Sequence, residues 1–155
     1  MKICVGTDQR SYLTDLVVEE LKRLGHQVEF VGPIGDQTYP WPEVARTVGE
    51  KVAGGEAEQG VLFCWTGTGV SIAANKVPGV RAALCGDAET ARGARAWNDA
   101  NVLCLSLRAT SSVIAKEILN AWFAAEPDPT EADNVRRVEE MDRHRRPTAA
   151  GKDAV

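Results

Sequence analysis

Apolar positions along this chain fall into two alternating patterns. Ile3-Cys4-Val5, Gln27–Val31, Gln59–Cys64, Val80–Cys85 and Val102–Leu105 are short, continuous apolar runs, the form taken by strands covered on both faces. Between them the apolar residues recur at helical spacing. Leu13, Leu16, Val17, Leu21 and Leu24 share one face, Val44, Ala45 and Val48 another, and Val113, Ile114, Ile118, Leu119 and Trp122 a third. Shorter helices are expected over Val70–Asn75 and about Ala88–Ala96, and a last one carries Val135, Val138 and Met141. Gly25 stops the first helix, Pro42 starts the second, and Thr110 and Thr130 stand where caps belong. Gly32–Trp41, with two glycines and two prolines, reads as a loop. Strand and helix alternate without an internal repeat. The pattern predicts a three-layer α/β/α domain with a five-stranded parallel sheet over residues 1–146, followed by a disordered tail from Pro147 to Val155.

In such a domain ligands bind beyond the carboxyl ends of the strands. That rule selects Thr7-Asp8-Gln9-Arg10, Cys64–Gly69, Gly86-Asp87 and the residues after Leu105. The richest of these stretches runs from Val61 to Lys76. A strand ends at Cys64, Thr66-Gly67-Thr68-Gly69 makes a tight turn, and small residues open a helix. Convergent backbone N–H groups and a helix N-terminus favour negative charge. A thiol on that rim is a candidate base beside an oxyanion cradle. Equally, Cys64 fits as a small buried hydrophobe beside a turn that is merely tight.

Gly67-x-Gly69 does not make a dinucleotide site. Ile72 stands where a third glycine or alanine belongs, the turn follows the third strand rather than the first, and Asp87 is poorly placed to bind a ribose. No Gly-Lys-Ser/Thr exists, which excludes a P-loop.

Composition narrows the class. Net charge is −4, and the basic residues near the C-terminus are interleaved with Glu139, Glu140 and Asp142, so nothing argues for nucleic acid. No apolar run approaches the roughly 20 residues that span a bilayer, and Met1–Thr7 reads as a strand rather than a signal peptide. Cys4, Cys64, Cys85 and Cys104 lack metal-ligand spacing and form no CxxC. A reduced, cytoplasmic protein without metal is expected. Only two histidines exist, His26 and His144, which restricts acid–base mechanisms.

Cys64-x-Thr66-Gly67-x-Gly69 followed by Ser71-Ile72-Ala73-Ala74-Asn75-Lys76 closely resembles the central motif of the ribose-5-phosphate isomerase B and galactose-6-phosphate isomerase family. Gly6-x-Asp8, Gly79-Val80-Arg81-Ala82 and Asn98-Asp99-x-Asn101-Val102-Leu103 match as well, so the likeness runs from about Met1 to Arg145. The resemblance implies a Rossmann-like fold and aldose–ketose isomerisation of a small sugar phosphate through an enediolate, with neither cofactor nor metal. It also implies a homodimer or homotetramer whose site lies between subunits, the partner's C-terminal helix supplying arginines. By motif match Cys64 is the base. The backbone from Trp65 through Gly67, Thr68 and Gly69 and the Thr66 hydroxyl hold the enediolate oxygens. Asp8 and Asn98 hold hydroxyls, and Arg108 and Arg137 the phosphate.

Three positions depart from that family. Trp97 replaces the histidine that opens the sugar ring, Gln9 followed by Arg10 replaces a histidine near the phosphate, and Asp133 replaces an arginine. Trp97 fits either a site position in the Asn98–Asn101 loop or plain packing. Arg10 or Arg136 could restore the lost positive charge. The expected activity is therefore that of an isomerase with ribose 5-phosphate as the default family substrate and with open-chain substrates such as tetrose phosphates favoured by the changes. The alternative is a non-catalytic sugar-phosphate-binding protein.

Overall fold

The computed structural model describes residues 1–33 and 38–144. The expected tail from Pro147 lies outside the described residues. In chain order the elements are β1 (Lys2–Thr7), α1 (Tyr12–Arg23), β2 (Gln27–Val31), α2 (Trp41–Ala53), β3 (Gln59–Cys64) and α3 (Thr68–Ala74). There follow β4 (Ala82–Leu84), α4 (Ala88–Asn98), β5 (Val102–Ser106), α5 (Ser112–Ala124) and α6 (Ala132–His144), the last preceded by a 3-10 turn, Pro129–Glu131.

All strand pairs are parallel, in the order β2-β1-β3-β5-β4. The chain moves outward from β1 to β2 and then returns to β3 on the other side of β1. That reversal opens a crevice beyond the carboxyl ends of β1 and β3, where Asp8 and Cys64 stand.

Although the strands read as continuous apolar runs, their side chains sort by parity onto two cores. Ile3, Val5, Val61, Phe63, Leu103 and Leu105 pack with α1, α4 and α5. Cys4, Leu62, Cys64, Val102 and Cys104 pack with α2 and α3. This is the two-residue period of a strand with both faces covered. The first core is centred on Trp122, which is fully buried and donates its indole N–H to Gln59 Oε1 at 2.7 Å. In the second, α2 lies so close to β1 that a Cβ on Gly6 would stand 2.7 Å from Val48 and 2.8 Å from Val44. No helix among the described residues is long and apolar enough to cross a membrane.

Several boundaries differ from those expected, each for a local reason. Ser111, not Thr110, caps α5 by accepting from the Ile114 N–H at 3.2 Å. Asp128, not Thr130, caps the turn before α6, taking both the N–H and the hydroxyl of Thr130. The fourth strand is trimmed to Ala82–Leu84 because Val80 closes a turn onto Val77 O. The fourth helix continues past Ala96 to Asn98, so Trp97 and Asn98 occupy its last turn rather than a loop.

His26 follows α1 and packs its ring on Phe123, with centroids 4.4 Å apart. Its Nδ1 is buried and has no partner among the described residues. Burial, helped by the N-terminal ammonium, lowers its pKa, with Glu58 opposing. The fold therefore favours neutral imidazole, while the unfolded chain binds a proton near pH 6.5. Stability from this site is complete above that value and declines as pH falls through it. Urea unfolding at about pH 7.5 and about pH 5.5 should show a smaller loss on acidification for His26→Gln than for the native sequence. An equal loss in both would remove His26 as the cause.

Candidate active site

β3 ends at Cys64, which is 6% exposed and faces the layer of α2 and α3, beside Val70 and Cys104. Beyond it the chain turns sharply. Gly67 has φ +77°, and a Cβ there would lie 2.5 Å from Leu84 Cδ1 and 3.0 Å from the Leu105 carbonyl group. Only glycine satisfies both the dihedral and the space. The turn is bound to its neighbours through two carbonyls. Cys64 O accepts from the N–H groups of Gly67 (3.2 Å) and Leu107 (3.0 Å). Trp65 O accepts from the Arg108 N–H (3.1 Å) and the Ser106 hydroxyl (3.0 Å).

The Gly67 N–H is thus already used, which removes it from the set of donors expected to hold substrate oxygens. Among the described residues the N–H groups of Thr66, Thr68 and Gly69 have no acceptor. The hydroxyls of Thr66 and Thr68 share a hydrogen bond of 2.7 Å above the turn. Ser106 lies in the stretch after Leu105 that the carboxyl-end rule selects without naming it, whereas Trp41 is not singled out by the sequence. Ser106 is the last residue of an apolar strand and is buried, and its hydroxyl locks the Trp65 carbonyl. Trp41 packs its indole on Gly69.

Asp8 follows β1 across the crevice. Its Oδ1 is buried without a partner among the described residues. Burial raises the carboxyl's pKa from its usual 3.8, opposed by the N–H groups of Asp8 and Gln9. A carboxylate held unsatisfied in this way is ready to accept hydrogen bonds from hydroxyls. The other three cysteines are buried more deeply than Cys64. Burial pushes the thiols of Cys4 and Cys85 to about 12 and that of Cys104 higher still.

The cationic candidates divide. Arg10 donates to Asp15 at 2.8 Å and lies 5.9 Å over the Phe30 ring. Arg136 binds Glu140 at 2.6 Å and Asp133 at 3.3 Å. Neither presents an unbalanced charge. Arg108 is exposed, has no acidic partner among the described residues and is tied by its backbone to the Cys64 turn. Arg137 on α6 is likewise exposed and unpaired among those residues.

Trp97 and Asn98 do not join this site within the chain. Cys64 pairs with Ser106 at the carboxyl end of β5, whereas Asn98 precedes Val102 at the amino end. Four residue steps of β5 separate the two ends, roughly 13 Å of strand. Instead, Trp97 and Asn98 border a cleft of about 380 Å³ with Asn75, Arg81, Val135 and Val138. Trp97 lies across Gly93, one turn back, with the Arg92 guanidinium 5.1 Å over its ring. Asp99, at φ +43°, fixes this corner. It accepts from Arg81 at 3.0 Å and from Arg95 at 2.9 Å. Asn75 and Asn101, both in the sequence motifs, act as clamps. Asn75 bonds both the N–H and the C=O of Ala82, and Asn101 joins the Arg81 N–H to the Gly79 carbonyl.

An α/β domain with a thiol, a carboxylate and a tight glycine turn at its switch point has the layout of a small-molecule enzyme rather than a dinucleotide binder. Comparison with known proteins identifies the group. The ribose/galactose isomerase family model matches residues 3–141, and the chain belongs to that family, whose members are aldose–ketose isomerases. It is 38% identical over 126 residues to ribose-5-phosphate isomerase B of Escherichia coli, covering 81% of this chain and 85% of that protein. It is 36% identical over 129 residues to D-erythrulose-4-phosphate isomerase of Pectobacterium atrosepticum, covering 81% and 84%. Among solved structures, ribose-5-phosphate isomerase B of Clostridium thermocellum superposes with a TM-score of 0.88 at 38% identity, over 93% of this chain and 99% of that one.

Gly67→Ala should cost about 1–3 kcal/mol, because it combines a left-handed dihedral with a collision. Gly86→Ala is the control, since a Cβ there meets nothing within 4 Å. Urea unfolding should separate the two variants, and equal stabilities would refute the requirement at position 67.

Proposed function

We propose that this protein interconverts an aldose phosphate and its ketose through a cis-enediolate, with Cys64 as the base. The Cys64 thiolate removes the proton from C2 of the open-chain aldose. The electron pair forms the C1–C2 double bond, and O1 carries the negative charge. O1 then takes up the proton of the O2 hydroxyl, and the thiol returns its own proton to C1, leaving the ketose. The free N–H groups of Thr66, Thr68 and Gly69 and the Thr66 hydroxyl stabilise the oxyanion. One such donor is worth roughly 3–4 kcal/mol of barrier. Asp8 accepts from substrate hydroxyls. The observation that carries this reading is that β1 and β3 end side by side, which brings Asp8, with an oxygen unpartnered among the described residues, to the same end of the sheet as Cys64 and the turn donors that have no acceptor among those residues.

A second copy of the chain completes the site in this reading. Asn98 and Trp97 lie at the far end of the sheet from their own Cys64 and therefore serve the partner's crevice. Arg137 acts in the same way across the interface, while Arg108 grips the phosphate from its own side. The protein works as a homodimer or homotetramer in the cytoplasm.

The substrate we favour is a four-carbon sugar phosphate, with ribose 5-phosphate as the family default. An indole at position 97 can neither donate nor accept the proton that ring opening needs. A four-carbon aldose phosphorylated at its terminal oxygen cannot close a furanose ring and needs no such help. The relative named for D-erythrulose 4-phosphate supports this choice. Trp97 also favours a second reading, a binding protein without turnover, which the intact Cys64 turn opposes.

A mixing experiment tests both the base and the shared site. Cys64→Ala and Asn98→Ala should each lose at least 100-fold in kcat/KM on the accepted sugar phosphate. Unfolding and refolding the two variants together should restore about a quarter of the wild-type rate, because half of the dimers then hold one intact site. Full turnover by Cys64→Ala would refute the base, and no recovery on mixing would refute the shared site.

A further inference from the structure

We infer that Trp41 is a specificity-determining residue that walls the crevice and limits the length of sugar phosphate it accepts. The inference rests on the isomerase reading above. Trp41 opens α2 and is held rigidly there by Pro40 at the cap and Pro42 at the next position. The segment before it crosses from one side of the switch point to the other. Thr38 forms an isolated antiparallel bridge with Gln9, and the Tyr39 N–H donates to Asp8 O at 3.0 Å. At the other side the indole rests on the glycine turn. Its Cδ2, Cε3 and Cε2 atoms lie 3.2, 3.2 and 3.4 Å from where a Cβ of Gly69 would stand.

The chain thus runs from the Asp8 carbonyl to Gly69 and sets a large side chain against the turn that holds the oxyanion. Core packing does not account for the indole. α2 buries Val44, Ala45, Val48 and Val52, whereas Trp41 remains 42% exposed. An aromatic ring fixed on one face and open on the other bounds the space beside the donors. A substrate that lengthens toward α2 meets this ring. A hydrophobic wall of this kind discriminates by about 10–200-fold per methylene.

The test compares kcat/KM for D-erythrose 4-phosphate and D-ribose 5-phosphate in the native enzyme, Trp41→Ala and Trp41→Phe, with Cys64→Ala alongside. Trp41→Ala should raise the five-carbon to four-carbon ratio about tenfold, mainly through a lower KM for the pentose phosphate. Trp41→Phe should move it less and in the same direction. Trp41→Phe keeps an aromatic ring at the helix start, so it decides the matter if the alanine variant does not fold. An unchanged ratio, or one shifted toward the shorter substrate, overturns the wall while Cys64→Ala still abolishes turnover. Turnover that survives in Cys64→Ala, or a native enzyme that turns over neither phosphate, overturns the isomerase reading and the wall with it.

Discussion

Two carbonyl groups hold the site in place. The Cys64 and Trp65 oxygens accept four hydrogen bonds, from the N–H groups of Gly67, Leu107 and Arg108 and from the Ser106 hydroxyl. Three of these bonds join the end of β3 to the end of β5, and the fourth closes the left-handed turn at Gly67. Among the described residues the N–H groups of Thr66, Thr68 and Gly69 are left without acceptors. Donors fixed before the reaction need no reorganisation when charge develops, which is why such a turn stabilises an oxyanion better than water does. Asp8, across the crevice, similarly keeps an oxygen with no partner among the described residues. Satisfied carbonyls and donors without acceptors among those residues are two consequences of one backbone path.

Parallel topology imposes a second constraint. Each helix returns the chain to the amino end of the sheet, so residues closing α4 cannot reach the carboxyl end of β3. The Arg81–Asp99–Arg95 network fixes Asn98 and Trp97 at that opposite corner, beside the cleft with α6. In the reading proposed above, a second copy supplies these groups. The division of labour then follows the sheet: proton transfer at the carboxyl end, substrate gripping from the partner's amino end.

Much of this was legible in the sequence. Continuous apolar runs separated by helical spacing gave the three-layer parallel architecture, and the carboxyl-end rule brought out Asp8 and the Cys64 turn. The rest depended on which partners each group meets in three dimensions. Arg10 and Arg136 read as available cations, but Asp15, Glu140 and Asp133 neutralise them. The Gly67 N–H read as a donor to substrate, but it closes the turn on Cys64 O. Ser106 lay in the stretch after Leu105 that the carboxyl-end rule selected, but its bond to the Trp65 carbonyl was not legible, and Trp41, ending a Pro/Gly loop, carried no signal. Trp97 read as a loop residue because the helix stop, Asp99, takes its left-handed conformation without a glycine.

The account stands on proton transfer at Cys64, and carrying out the reaction in D2O examines that step directly. A thiol exchanges its proton with solvent, so a base that carries the proton between C2 and C1 delivers deuterium to C1 of the ketose in each turnover where exchange precedes return. The account predicts deuterium at that carbon in the product of the native enzyme, and loss of both label and turnover in Cys64→Ala. Label still entering the product with Cys64→Ala, or turnover by that variant at the native rate, would contradict it.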